Sequence, residues 1–335
     1  MNHLKVLKAY KFRIYPTSEQ RQFFIETFGC VRFTYNSLLK NREYRDLRDD
    51  PGELLTPAKL KQKHPFLKKT DSLALANAQR NLDRAFRNYY AGRCSHPKLK
   101  TKKAMWQSYT TNNQQGTIRI ETGRLKLPKV KTLIPLLLHR EIKGEIKSAT
   151  ISAKNLEEFY VSLLCEEQVA HLPKTSRTIS IRFCPQQLVL ADAPLSGLGF
   201  CQKELSEKLL KEERRLAIRA LSARRRLVKL KEAKNYQKQK NRVMDLQRHK
   251  RARQKAYMDE LSLTLVKDFD EIIICFEPKQ SAVAFNWSDW QKLLQKLKYK
   301  ARWYGKTVNL QTLSKNAWTD KSAVAYELEG TPGIA

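Results

Sequence analysis

Hydrophobic positions along the chain change period several times, and each change marks a different kind of element. Residues 5–15 are rich in β-formers and stop at Pro16, which predicts a strand followed by a break. Thr17 and Gln20 then have capping-box spacing. Phe23, Phe24, Ile25, Phe28, Val31, Tyr35, Leu38 and Leu39 recur at helical intervals, over one bent helix or two. A polar stretch from Asp49 to Pro57 interrupts this pattern. Asp71 is an N-cap residue, and the helix it opens sets Leu75, Leu82, Ala85, Phe86 and Tyr89 on one face, the stripe of a packed core. Residues 92–103 are a turn-rich basic connector, suited to track a phosphate backbone or to stand as a solvated loop.

From Trp106 to Gln168 the period shortens to two, with strands expected at 117–121, 124–129, 146–152 and 158–166. Such strands predict a small barrel or curled sheet that pairs with the N-terminal strand and leaves the helices as an insertion. Residues 169–177 read as a linker. Beyond it, 178–193 predicts a β-hairpin and 272–276 a short buried strand. Between these two lies a long charged helical stretch. Residues 203–267 carry 21 Lys and Arg against 8 Asp and Glu, and Leu209, Leu210, Leu216, Ile218, Leu221, Leu227, Leu230, Leu246, Met258, Leu261 and Leu265 supply an apolar seam. A basic antiparallel helical hairpin follows, its tip expected near Asn235 to Asn241. A last amphipathic helix is expected over 288–306, and a strand in the TVNLQTL segment after it.

Composition narrows the function. The 335 residues include 65 Lys and Arg against 33 Asp and Glu, a formal charge of +32. That excess is too one-sided for solubility alone and points to nucleic acid. Hydrophobic residues make up 41% of the chain, which excludes global disorder. The apolar run from Leu133 to Leu138 is broken by Pro135 and far shorter than a bilayer span, and the N-terminus lacks the apolar core of a secretory signal. A cytoplasmic, nucleoid-associated protein with no membrane partner is expected. Its six cysteines include no C-x-x-C pair, so neither zinc nor disulfides are signalled, and no cofactor is expected.

Four strings carry a family likeness: RFTYNSLL (32–39), NLDRAFRNYYAGR (81–93), GRLKLPK (123–129) and KLKYKARWYGK (296–306). With the order of elements, they resemble TnpB, the transposon-encoded family of RNA-guided nucleases related to type V CRISPR effectors. The resemblance implies a mixed α/β multidomain chain. Residues 1–15 and 100–170 would form a wedge-type β-barrel, 16–99 an inserted helical recognition lobe, and 171–177 a linker. Residues 178–335 would form a RuvC-like domain of RNase H fold, interrupted by the hairpin at about 203–267.

A RuvC-like nuclease needs three carboxylates around two Mg²⁺ ions. The resemblance sets the first aspartate at Arg182, or at Ile181 one residue away. The second carboxylate falls on Phe276, on Cys275 in another register, or on Glu277 with one inserted residue. Asp320 matches the third, and the four-cysteine zinc ribbon before it is missing. The chain therefore most resembles the nuclease-dead TnpB-like repressors (TldR-like), which occupy a guide-matched target without cutting it. Guide RNA and double-stranded DNA are the implied partners, with a monomer expected in the complex, although the exposed helical seam could pair two chains.

In that reading the hairpin cations Arg224, Arg225, Arg226, Lys229, Arg248, Lys250, Arg251 and Arg253 and the connector's Lys98, Lys100, Lys102 and Lys103 meet phosphates. A short motif in duplex DNA would be read by Ser72, Leu73, Ala76 and Asn77 on the recognition-lobe helix and by Tyr109, Thr111 and Asn112 on a loop entering the barrel. Leu73 and Ala76 equally suit a structural core role. Two alternatives stand: an active nuclease using Asp192, Glu277 and Asp320, or a regulator that binds DNA or RNA with no guide.

Overall fold

The computed structural model describes residues 3–47, 54–183, 188–190, 193–194, 203–276 and 287–312. The chain divides into two compact units, Lys5–Gln168 and a second built from Val169 onward with the first residues of the chain.

In the first unit, strand β1 (His3–Ile14) leads to helix α1 (Ser18–Asp46). Thr17 caps it as its spacing predicts: the Gln20 amide donates to Thr17 Oγ1 at 3.3 Å, and Gln20 Oε1 accepts from the Thr17 amide at 3.0 Å. Helix α2 (Pro57–Lys63) and a 3-10 turn (Pro65–Lys69) precede α3 (Ser72–Tyr90). Strands β2 (Trp106–Asn112), β3 (Arg119–Glu121), β4 (Arg124–Lys126), β5 (Ile134–Pro135), β6 (Glu145–Lys154) and β7 (Glu158–Ala170) complete the unit. They form a four-stranded sheet, ordered β1-β7-β6-β2, and a three-stranded sheet, β3-β4-β5. The two meet where Ile14 bridges Leu136 and the Leu137 amide donates to Arg13 O. The expected barrel is not closed among the described residues: β3, β4 and β5 are two or three residues long, too short to extend a ladder across to β2.

One face of the larger sheet is the core. Phe24 and Phe28 of α1 reach Tyr109 at 6.3 and 5.8 Å between ring centroids, and Phe24 reaches Phe159 at 5.9 Å. Leu75, Leu82 and Phe86 of α3 join them, so the stripe read from sequence is core.

The second unit holds a five-stranded sheet built from β8 (Thr178–Phe183), β9 (Leu188–Leu190), β10 (Ala193–Pro194), β11 (Glu271–Phe276) and β12 (Thr307–Thr312). Its order is β10-β9-β8-β11-β12. β8 pairs antiparallel with β9, as the hairpin reading requires, and parallel with β11, which pairs parallel with β12. Between β8 and β11 run α4 (Lys203–Arg225) and α5 (Lys234–Asp268), and α6 (Trp287–Tyr304) links β11 to β12. Leu261 and Leu265 of α5 and Leu293 and Leu297 of α6 pack with Ile181, Ile272 and Ile274 of the sheet.

The hairpin's tip lies at residues 226–233, earlier than the sequence suggests. Helix α4 ends because Leu227 adopts a left-handed backbone (φ 57°), with the Leu227 amide on Arg224 O and the Val228 amide on Ala223 O. Asn235 and Asn241 sit inside α5, where the Lys and Gln around them favour helix and override the turn preference of asparagine. Gly305 ends α6 in the same way (φ 71°), and a Cβ there would come within 2.8 Å of the His171 ring.

Candidate nucleic-acid interface

At the start of α3, Asp71 accepts from the Leu73 amide, as an N-cap does, while its other oxygen accepts from the Thr111 hydroxyl of β2. Asn77 donates to Thr110 O at 2.9 Å and to Asn112 Oδ1 at 3.2 Å. Helix and strand are thus pinned together by polar groups, and the sequence-named positions Ser72, Asn77, Thr111 and Asn112 gather at one corner. Thr111 and Asn112 are the last residues of β2 rather than loop residues. Thr111 and Tyr109 are buried, and burial, reinforced by the nearby Asp71 charge, pushes the Tyr109 phenol well above its ordinary pKa. Leu73 and Ala76 are half-buried. Ser72 is exposed and accepts from Lys61 Nζ at 2.7 Å. Asn77 and Asn112 are half-buried.

Along the connector, Lys98, Lys100, Lys102 and Lys103 are all exposed. Its path is fixed by Asn36, which accepts from the Lys100 amide at 2.9 Å and donates to its carbonyl at 3.0 Å. The Lys100 ammonium sits 4.2 Å from the centre of the Tyr35 ring, and desolvation there lowers its pKa.

In the hairpin, Arg224, Arg225, Arg226, Lys229, Arg248, Arg251 and Arg253 are exposed and Lys250 is half-buried. The two arms are registered by a buried polar clamp: Gln239 Nε2 donates to Glu212 O at 3.0 Å and to Glu212 Oε2 at 2.6 Å. Arg215 adds an ion pair at 2.8 Å. These partners, the Gln239 bond foremost, hold the Glu212 carboxyl below the usual range. The clamp carried no sequence signal, because a lone Glu and a lone Gln 27 residues apart reveal nothing until the hairpin closes.

At the sheet of the second unit, β8 and β11 run parallel with Arg182 opposite Cys275, one step past the Ile181 and Ile274 pair. Both positions lie at the carboxyl ends of their strands, the edge where open α/β sheets bind ligands. At the opposite edge, Asp270 accepts from the amides of Thr175 and Ser176 at 2.8 and 2.7 Å and from Lys306, which also donates to Pro173 O at 2.7 Å. Residues 173–176, read from sequence as linker, are therefore fastened.

Comparison with known proteins supplies an independent line. A protein of Streptomyces pristinaespiralis named as an RNA-guided DNA endonuclease is 29% identical over 321 residues, covering 90% of this chain and 76% of that protein. InsQ of Escherichia coli K12, named likewise, is 26% identical over 175 residues, covering 50% of this chain and 42% of InsQ. A helix-turn-helix domain family matches residues 1–46. The chain belongs to the TnpB family. Virulence protein VsdF of Salmonella dublin is also similar, 36% identical over 118 residues that span 30% of this chain and 93% of VsdF. In this TnpB-family chain the described part of the helix-turn-helix match folds as β1 followed by the single helix α1.

The TnpB resemblance implies a Mg²⁺ pair, and the residues can be tested against it. Arg182 is a cation, Cys275 a soft thiol and Phe276 an apolar ring, none of which suits a hard oxygen-seeking ion. Glu277, Asp192 and Asp320 lie outside the described residues. Among the described residues no three His, Cys, Asp or Glu side chains gather as a metal-binding group. Nor, among them, is any helix long and apolar enough to cross a membrane. Arg182, Cys275 and Phe276 would not hold such a pair, whereas Glu277, the other candidate for the second position, lies outside the described residues.

Proposed function

We propose that this TnpB-family protein binds DNA under the direction of a guide RNA, does not cut it, and represses transcription by occupying its target. The reading rests on Arg182, the residue that the TnpB resemblance sets at the family's first aspartate, which lies opposite Cys275 on the neighbouring strand. In this reading the first unit corresponds to the wedge and recognition lobe, and the second to a degenerate RuvC-like domain. Three parallel strands sharing one carboxyl edge give such a domain the frame it needs. Base pairing between guide and DNA supplies sequence discrimination, so the protein contributes a cationic path for the heteroduplex and a small reader of duplex DNA. The hairpin and connector cations suit the first task. Ser72, Asn77 and Asn112 suit the second: Asn77 Nδ2 is used on Thr110 O and Asn112 Oδ1, which leaves Asn77 Oδ1 to accept from a base edge and Asn112 Nδ2 and the Ser72 hydroxyl to donate to one.

The relatives named as endonucleases favour one competing reading, an active nuclease. Both are tested by purifying the chain with its RNA from its native cell, sequencing that RNA, and incubating the complex with a guide-matched duplex and Mg²⁺. Target protection without strand breaks is the expected result. Breaks that depend on Mg²⁺ overturn the loss of cutting, and sequence-selective binding that survives complete RNA removal overturns guided recognition.

A further inference from the structure

Helix α4 turns one face to α5, carrying buried Glu212 and Ala223. Its opposite side exposes three apolar side chains among charged ones: Leu210, Ile218 and Leu221 are 51%, 65% and 55% accessible. At 3.6 residues per turn, Glu207, Leu210, Arg214, Ala217, Leu221 and Arg224 fall in one stripe about half a turn from Glu212. Their spacing alternates three and four, the seam of a helix that pairs with another.

The order of charges along this seam selects its partner. Laid beside a second α4 in the same direction, the seam would set Glu207 on Glu207, Arg214 on Arg214 and Arg224 on Arg224, repulsion in three of its layers. Laid antiparallel about a two-fold axis, Glu207 meets Arg224, Leu210 meets Leu221, and Arg214 meets Ala217, whose small side chain leaves the arginine stem room to run out to water. On the flank Glu204 comes beside Arg225. A two-fold axis makes every favourable pair occur twice. We infer that this stripe is a self-association surface, and that two copies of the chain pair through antiparallel α4 helices.

The seam is one helix wide, so the pair belongs to the small, transient class of interfaces, with dissociation in the micromolar range. Arg224 and Arg225 are also phosphate-binding candidates, so a polyanion competes with pairing for the same guanidinium groups. The inference does not depend on guided recognition, because it concerns the chain stripped of nucleic acid.

Sedimentation equilibrium on the RNA-free full chain across the micromolar range tests it. Wild type is expected to fit a monomer–dimer equilibrium, and Glu207→Arg and Arg224→Glu are each expected to weaken it at least about tenfold through like-charge contact. An equimolar mixture of the two variants is expected to recover dimer, since each reversed charge then faces its opposite in trans. Both changes sit at exposed helical positions, and circular dichroism confirms that helix content is kept. A monomer throughout the range overturns the inference, as does a dimer indifferent to either reversal or a mixture that stays as weak as its components.

Discussion

Replacing Asp270 by Asn tests how the second unit is held at its amino edge. The carboxylate accepts from two backbone amides and from Lys306, whose side chain is only 1% exposed. Burial pushes the Asp270 carboxyl up, but Lys306 and the amides of Thr175 and Ser176 outweigh it and hold the pKa at about 2, against an ordinary 3.8. A depression of that size corresponds to about 2.4 kcal/mol at pH 7, trimmed to about 2 kcal/mol because the group keeps some solvent. The folded value lies below the unfolded one, so this stability is fully present above pH 4–5. It falls as the pH drops toward about 2, with roughly half left at pH 3. Asn keeps the shape and an acceptor for the amides but leaves the Lys306 ammonium without a counter-charge. Hydrogen exchange at β11 and β12, corrected for intrinsic rates, is the suitable assay because it reads this sheet without interference from the other unit. At pH 7 the variant should exchange about 30-fold faster, and the gap should shrink to under about tenfold at pH 3. A gap of the same size at both pH values would refute the charge argument and leave only shape.

Leu227 spends a left-handed backbone on a side chain that is 94% exposed, so Leu227→Gly should stabilise the hairpin by about 1 kcal/mol, read as a rise in urea midpoint. Phe24 is fully buried against Tyr109 and Phe159, and Phe24→Ala should cost about 3–5 kcal/mol and lower the melting temperature of the first unit. Changing Arg224, Arg225 and Arg226 together to Ala should weaken binding to all DNA targets alike and flatten the salt dependence, measured by anisotropy titrations; a changed sequence preference would contradict a phosphate role.

Local signals in the sequence translated well. Thr17 and Gln20 cap α1 as their spacing says, and the Phe24, Leu75 and Phe86 stripes are core because helical periodicity is written within a few residues. Signals that depend on closure did not translate. Asn235 and Asn241 suggest a hairpin tip, yet the helix ends at Leu227, a residue with no turn preference, because the arms that pack on each other decide where the chain reverses. Helix α2 opens with the Thr56 cap and Pro57, a start whose signal is weak because polar residues precede it and the helix is only seven residues long. At the candidate interface, the gathering of Asn77 with Asn112 and of Asp71 with Thr111 joins residues 35 and 40 positions apart. The Asp270–Lys306 pair likewise exists only once β11 and β12 align in parallel.

That parallel alignment also separates stability from chemistry. Asp270 and Lys306 stand immediately before β11 and β12, whereas Arg182 and Cys275 lie at the far ends of β8 and β11, a strand length of about 15 Å away. The buried isoleucines Ile181, Ile272 and Ile274 fill the span between. A substitution at the carboxyl edge therefore leaves both the clamp and the apolar contacts intact, so residues there can change their chemistry without loosening the sheet. On the proposed reading this is how a TnpB-family chain exchanges an aspartate for Arg182 while keeping the frame that carries its basic hairpin, because α4 and α5 are spliced between β8 and β11 and depend on that sheet for their footing. On that reading, cutting can be lost while the basic hairpin is kept, because the carboxyl-edge residues stand apart from the clamp and apolar contacts that hold the sheet.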